Sequence, residues 1–280
     1  MAFLSGIKNR LQTAGVPGVQ KDDTVPPEVG MELLNTPSGK PRIGKEEIKK
    51  AAEILTKYKQ GKANLESRIV EDELWWELRH WEVIRNKKKR PDERGPEPTS
   101  AWLFNSILNK HADAMDNFPE PVVLPREKSD EQSAKVLSSV LPVILECNDY
   151  EQVYSDNWWD KLKHGTAAYG VFWDSQKENG LGDISIQEID LLKLFWEPGI
   201  TDIQKSRNLF IVELVDEDLL DQQYPEHKGH LKGGSIDVKK YIYDDAIDTS
   251  NKSVVVDWYY KRPDESGKLR LHYCKLCNGV

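Results

Sequence analysis

The chain has 280 residues, with 39 Lys and Arg against 47 Asp and Glu, and a formal net charge of −8. That balance argues against a simple basic nucleic-acid binder, while leaving room for a surface past which DNA slides. Nine Trp, ten Tyr and 38% hydrophobic residues exclude a disordered chain, and three cysteines, an odd number, exclude a disulfide framework.

The start, "MAFLSGIKNRLQTAG", lacks the apolar core and cleavage site of a secretory signal. The longest apolar run, "VLSSVLPVIL" at 136–145, is too short to span a bilayer. A soluble protein of a reducing compartment is therefore expected. Residues 1–44, with "AGVPGVQKDDTVPPEVG" and "NTPSGKPRIG", are expected to form an extended or flexible N-terminal arm.

Residues 45–99 predict a helical hairpin and a loop. Ile48, Ala51, Ala52, Leu55 and Tyr58 recur at helical spacing, with Gly61 as the stop. Leu65, Ile69, Leu74, Leu78, Trp81 and Ile84 continue the period in a second helix. The run Lys87-Lys88-Lys89-Arg90 is read as a solvated helix end rather than a DNA contact.

Residues 100–280 predict an α+β domain. Ser100 is placed as the cap of "AWLFNSILNKHADAMDN", and "FPEPVVLP" at 118–125 must be extended. Ser129 and Gln132 suggest a capping box for the next helix, which Pro142 should kink or shorten. "DYEQVYSDNWWDKLKHG" reads as a helix closed by Gly165. Strand patterning then takes over. "TAAYGVFWD" and "DISIQEIDLL" form a β-hairpin that "LFWEPG" ends. "NLFIVELV" at 208–215 is a strand and "DEDLLDQQYP" a short helix ended by Pro225. "SVVVDWYYKR" and "LRLHYCKL" form a second hairpin. Helices first and hairpins afterwards give an α+β class with antiparallel pairing.

Four features bear on chemistry. His272, Cys274 and Cys277 spell H-x-C-x-x-C, but a structural zinc site needs four ligands. Cys147 is far away in sequence, His227 and His230 are the nearest partners, and ordinary strand residues explain the motif better. Asn278-Gly279 is a strong hairpin-turn signal, so the chain is expected to be the front part of a longer polypeptide. Asp174, Asp183, Glu188 and Asp190 flank the first hairpin and could gather a metal, although acids beside turns are commonplace. "PEHK" at 225–228 lies in the wrong context for a nuclease element, and His164 is read as part of a helix end rather than an acid–base group. No phosphate-binding Gly-rich loop or G-x-S-x-G is present, so no catalytic residue, cofactor or metal is assigned. The pairs Trp75-Trp76 and Trp158-Trp159 sit on helices where neighbours point about 100° apart. One ring of each pair can enter the core while the other anchors a partner, or both can lie on one wide buried face.

The middle of the chain resembles the portal proteins of tailed bacteriophages. "WLFNSILNKHADAMDNFPEPVVLPRE" carries the aromatic, Asn, Lys and Asn-x-Pro-x-Pro series on Trp102, Asn105, Lys110, Asn117, Pro119 and Pro121. Gly165, Tyr169, Gly170 and Trp173, then Phe195, Trp196 and Pro198, then "LLDQQYP" keep the family's order. The resemblance implies a structural, non-enzymatic subunit of a homo-oligomeric, usually dodecameric ring at the capsid vertex of the virion, assembled in the host cytoplasm. It implies a channel for packaging and ejection of double-stranded DNA, without specific binding. It further implies partners in the terminase motor, the major capsid or scaffolding protein and the head-completion adaptor, with residues 100–280 forming a wing-like domain truncated at its last hairpin. The alternatives are a metal-dependent nuclease or other nucleic-acid enzyme using the hairpin carboxylates, or a capsid-associated adaptor or scaffold protein.

Overall fold

The chain divides into two compact units, Met1–Gly44 and Lys45–Val280. A computed structural model describes residues 43–84, 95–231, 251–263 and 267–277. The N-terminal arm, the basic run at 87–90 and the Asn278-Gly279 turn therefore lie outside the described residues.

Helix α1 spans Lys45–Trp76, 32 residues without interruption, or about 48 Å at 1.5 Å per residue. The stop expected at Gly61 does not occur. The break comes after Trp76, where Leu78 adopts a φ of 62°, and α2 then spans only His80–Ile84. Gly61 serves close approach instead: a Cβ there would lie 2.5 Å from Cγ of Pro198. The expected helical hairpin is thus one long helix and a short appended turn.

Helices α3 (Trp102–Asp116), α4 (Glu131–Cys147) and α5 (Tyr150–His164) follow. Two expected caps are displaced. Ala101, not Ser100, holds the N-cap position of α3, and its carbonyl accepts from Asn105 N at 2.9 Å. Before α4, residues Lys128–Asp130 form a 3₁₀ turn, and Asp130, not Ser129, holds the N-cap position of α4. Ser129 Oγ donates to Asp130 Oδ1 at 3.1 Å instead. Pro142 lies inside α4 without ending it. Gly165 closes α5 with a φ of 73°, as the sequence predicts. Among the described residues no helix is long and apolar enough to cross a membrane.

Strands β1 (Tyr169–Asp174) and β2 (Asp183–Glu188) form the expected antiparallel hairpin, with Asp174 opposite Asp183. Strands β3 (Leu194–Trp196), β4 (Asn208–Asp216), β5 (Lys252–Pro263) and β6 (Leu269–Cys277) make a second, fully antiparallel sheet in the order β3-β4-β5-β6. Helix α6 (Glu217–Gln223) follows β4 and ends just before Pro225. The "LFW" segment does not close the first hairpin. Asp190 reverses the chain by accepting from Leu192 N through Oδ1 (2.8 Å) and from Lys193 N through its carbonyl (3.0 Å). Leu194–Trp196 then starts the second sheet beside β4. The α+β class with antiparallel sheets is as expected.

Strand register puts Phe195, Phe210, Trp258 and Cys274 in one row across the four strands. Phe195 and Phe210 are wholly buried. Tyr58 of α1 meets Phe210 edge-on at 5.9 Å, so α1 covers this face. On the other face Leu194 and Ile211 pack with Ile189, with Phe172 of the first hairpin beside them. Farther along, Leu220 of α6 packs with Val255 and Cys277.

One lysine ties these layers together. Lys62, 7% exposed, donates from Nζ to the carbonyls of Leu191 and Leu194, the latter at 2.6 Å. It lies 4.5 Å from the Phe195 ring centroid and 4.0 Å from Oε1 of the buried Glu66. Burial lowers its pKa from 10.5 to about 8, with Glu66 and Asp190 opposing the fall. The folded state therefore binds fewer protons than the unfolded chain between about pH 8 and 10.5, and stability rises with pH across that window. The raised pKa values of buried Tyr58 and Tyr259 slope the other way, so a variant is needed to isolate the lysine.

Lys62→Met should lose about 3 kcal/mol at neutral pH, because Glu66 is left buried without its cation. It should also remove the lysine's contribution to the pH dependence, so the advantage of wild type over the variant grows between about pH 8 and 10.5; denaturant melts at several pH values check both. Gly61→Ala should destabilise by about 1–3 kcal/mol despite alanine's higher helix propensity, because the methyl meets Pro198. A thermal melt unchanged or raised by Gly61→Ala would contradict that contact.

Candidate functional site

The carboxylates expected at the first hairpin do not converge. Asp174 and Asp183 face each other at its turn end, where they accept from the backbone N–H groups of Gln176 (2.9 Å) and Ile184 (2.7 Å). Glu188 ends β2 about 17 Å from Asp183 at strand rise, and Asp190 lies just beyond it. Asp190 is occupied by its turn and by Lys193 at 3.5 Å. Strand alternation also divides H-x-C-x-x-C. His272 and Cys274 share the α1 side of the sheet, and His272 stacks on Tyr260 at 5.2 Å. Cys277 points to the opposite face, buried with Leu220 and Leu231, and its thiol contacts the Leu231 carbonyl at 3.3 Å. Among the described residues no three His, Cys, Asp or Glu side chains are grouped to hold a metal.

The polar groups that do meet lie where α1, α5 and β2 join, and only two of them, Glu188 and His164, were singled out from sequence. Lys163 pairs with Glu73, and His164 Nε2 lies 3.2 Å from the same carboxylate. Burial alone would raise the Glu73 pKa, but hydrogen bonds from His164 and Lys163 outweigh it and leave it lowered. Next to this pair Glu188 hydrogen-bonds Asp160. Burial, that hydrogen bond and the charges of Asp160, Asp156 and Asp190 raise the Glu188 pKa to about 7. Burial raises the Asp160 pKa as well, so the two carboxyls together favour holding a proton between them. This join fastens the first hairpin to the helices by a contact that depends on protonation.

Aromatic residues reinforce the same join. Trp76 stacks on Phe104 at 4.6 Å and meets Trp159 at 5.3 Å, while His111 lies flat on Trp159 at 3.7 Å. Trp75 turns away onto His80 (4.6 Å), and Trp158 takes Lys161 over its ring at 4.0 Å. All four rings are half-buried, so neither pair divides into a core ring and an exposed one, although the two members of each pair meet different neighbours.

The larger surface feature is apolar area that stands exposed among the described residues. On α4, Val136, Val140 and Val143 form an exposed stripe at i, i+4 and i+7, beside exposed Leu137. On β1, Tyr169, Val171 and Trp173 share one face, and Trp173 is 67% exposed. On β6, Leu269, Leu271 and Tyr273 do the same along the edge of the sheet. Trp173 and Tyr273 flank a cleft of about 770 Å³ between the two sheets. Three such faces on separate elements suit subunit association better than a small-molecule site. Sequence reading missed them because an apolar α4 and a half-apolar strand look the same whether the chain itself or another molecule covers them.

The profile of the phage P22-like portal protein family matches residues 105–273. No curated protein matches the chain.

Glu188→Gln should flatten the pH dependence of stability. A raised carboxyl pKa gives stability that is complete below about pH 4.5 and is lost as pH rises through about 7. Glutamine keeps a neutral donor facing Asp160 without that titration. The variant should melt higher than wild type at pH 8 and match it near pH 5; equal melting shifts over the whole range would refute the shared proton.

Proposed function

The chain belongs to the phage P22-like portal protein family, and on that premise we propose that it is a ring-forming subunit that lines the path of double-stranded DNA into and out of the capsid. The family match over residues 105–273 carries this reading. The exposed apolar faces of α4, β1 and β6 support it, since a subunit of a closed ring must bury two unlike surfaces against its neighbours. The formal charge of −8 supports it as well. A conduit works only if phosphates are not gripped, because each neutralised phosphate adds affinity.

On this reading residues 100–280 are wing-like, and residues 1–44 are an arm that lies on a neighbouring subunit. The packaging motor, the capsid or scaffolding protein and the head-completion adaptor dock on the outside of the ring. No residue is assigned to catalysis, and the hairpin carboxylates, being dispersed, give a nuclease reading no support.

Native mass spectrometry and negative-stain imaging of the purified full chain test the proposal. Closed rings with a central opening are expected. A species that stays monomeric at high concentration in low salt would count against it.

A further inference from the structure

The extended segment at 118–122, the middle of α4 and the start of α5 enclose a second groove, of about 610 Å³. Phe118, Val122, Pro142, Leu145 and Tyr150 give it apolar walls. Phe118 is held edge-on by Tyr150 at 6.0 Å and by Tyr154 at 5.1 Å, so that wall is preformed. Glu120, Glu146, Asp149 and Glu151 line the same groove, and all four are exposed. Among the described residues no Lys, Arg or His lines it. The cleft between the sheets differs, since Lys193 and Lys275 stand among its acids. An apolar floor with a rim of one sign selects an occupant that is apolar and cationic together.

The sequence contains such a segment. Ile84, 56% exposed, ends α2 and is followed by "RNKKKR", five cations in six positions. Trp81 Nε1 donates to the Pro98 carbonyl at 2.9 Å, which holds residue 98 beside α2, so both flanks of the cationic run start from one place.

We infer that the acidic groove between α4 and α5 accepts the segment Ile84–Arg90 of a second copy of this chain. The inference rests on the ring reading, because a head-to-tail repeat lets each copy offer one cationic segment and one acidic groove. It goes further in assigning both halves of one contact between neighbours. It also makes assembly salt-sensitive, since exposed rim charges are screened within about 10 Å at 0.1 M salt.

Charge reversal in the full chain tests it. Glu146→Lys with Glu151→Lys alters the groove, and Lys87→Glu with Lys88→Glu and Lys89→Glu alters the segment. By sedimentation, each set alone should weaken self-association about tenfold or more, and both sets in one chain should restore most of it. A second measurement does not depend on charge. Lys88→Cys should form a disulfide with the native, exposed Cys147 next to Glu146, giving a chain of doubled mass without reductant, and Cys147→Ser should abolish it. If wild type forms rings but the reversals leave association unchanged, or the disulfide closes within one chain, the groove assignment is overturned and the portal reading stands. If wild type does not associate at all, both are overturned.

Discussion

The architecture depends on a buried ammonium group. Lys62 donates to the carbonyls of Leu191 and Leu194, the corner where the chain leaves the first hairpin for the second sheet. Leaving those carbonyls unbonded in the interior would cost about 1–3 kcal/mol each. A lysine can reach them only if its helix lies close, and Gly61 permits that by leaving the space Pro198 needs. Leu191 and Leu192 then bury against Ile69, two turns farther along α1. One helix face thus sets the angle between both sheets.

The same helix carries that order outward. Beyond Ile69, its Glu73 engages Lys163 and His164, and its Trp76 joins Phe104 and Trp159. Helices α3 and α5 are therefore positioned by the last turn of α1, and the first hairpin is fastened to α5 through Glu188 and Asp160. These contacts differ in kind. The contacts among Trp76, Phe104 and Trp159 involve no titrating group, whereas the carboxyl pair loses its proton near neutrality. Raising the pH would loosen the hairpin before it disturbs the helices.

Period and punctuation made much of this legible in the sequence. Both hairpins, β4, α6 and the Gly165 closure of α5 follow from alternation, turn residues and a left-handed cap, all of them local. Two of the misreadings have one cause: residues whose local meaning was overridden by a distant contact. Gly61 looks like a helix stop, but its role is set by Pro198, over a hundred residues away. "LFW" looks like the tail of one hairpin, but Phe195 pairs with Phe210 of the next sheet. Ser129 is displaced locally instead: the 3₁₀ turn around it moves the N-cap position to Asp130. The Glu188–Asp160 contact leaves no local trace, because it joins a strand end to a helix middle. The dispersal of His272, Cys274 and Cys277 could have been foreseen, since residues two apart on a strand share a face and residues three apart do not.

The placement of charge bears on the proposed assembly. A subunit whose acids outnumber its bases repels the phosphate backbone, and on the portal reading that keeps DNA mobile. A dense cationic run is then a liability wherever it meets the channel, because five cations in six positions would hold phosphates firmly at low salt. Seating that run in an acidic groove of the neighbouring copy removes the liability and relieves the repulsion among Glu120, Glu146, Asp149 and Glu151. Ring closure and a channel that does not grip DNA then become one requirement: the contact that joins neighbours also withdraws the chain's strongest phosphate ligand from the path.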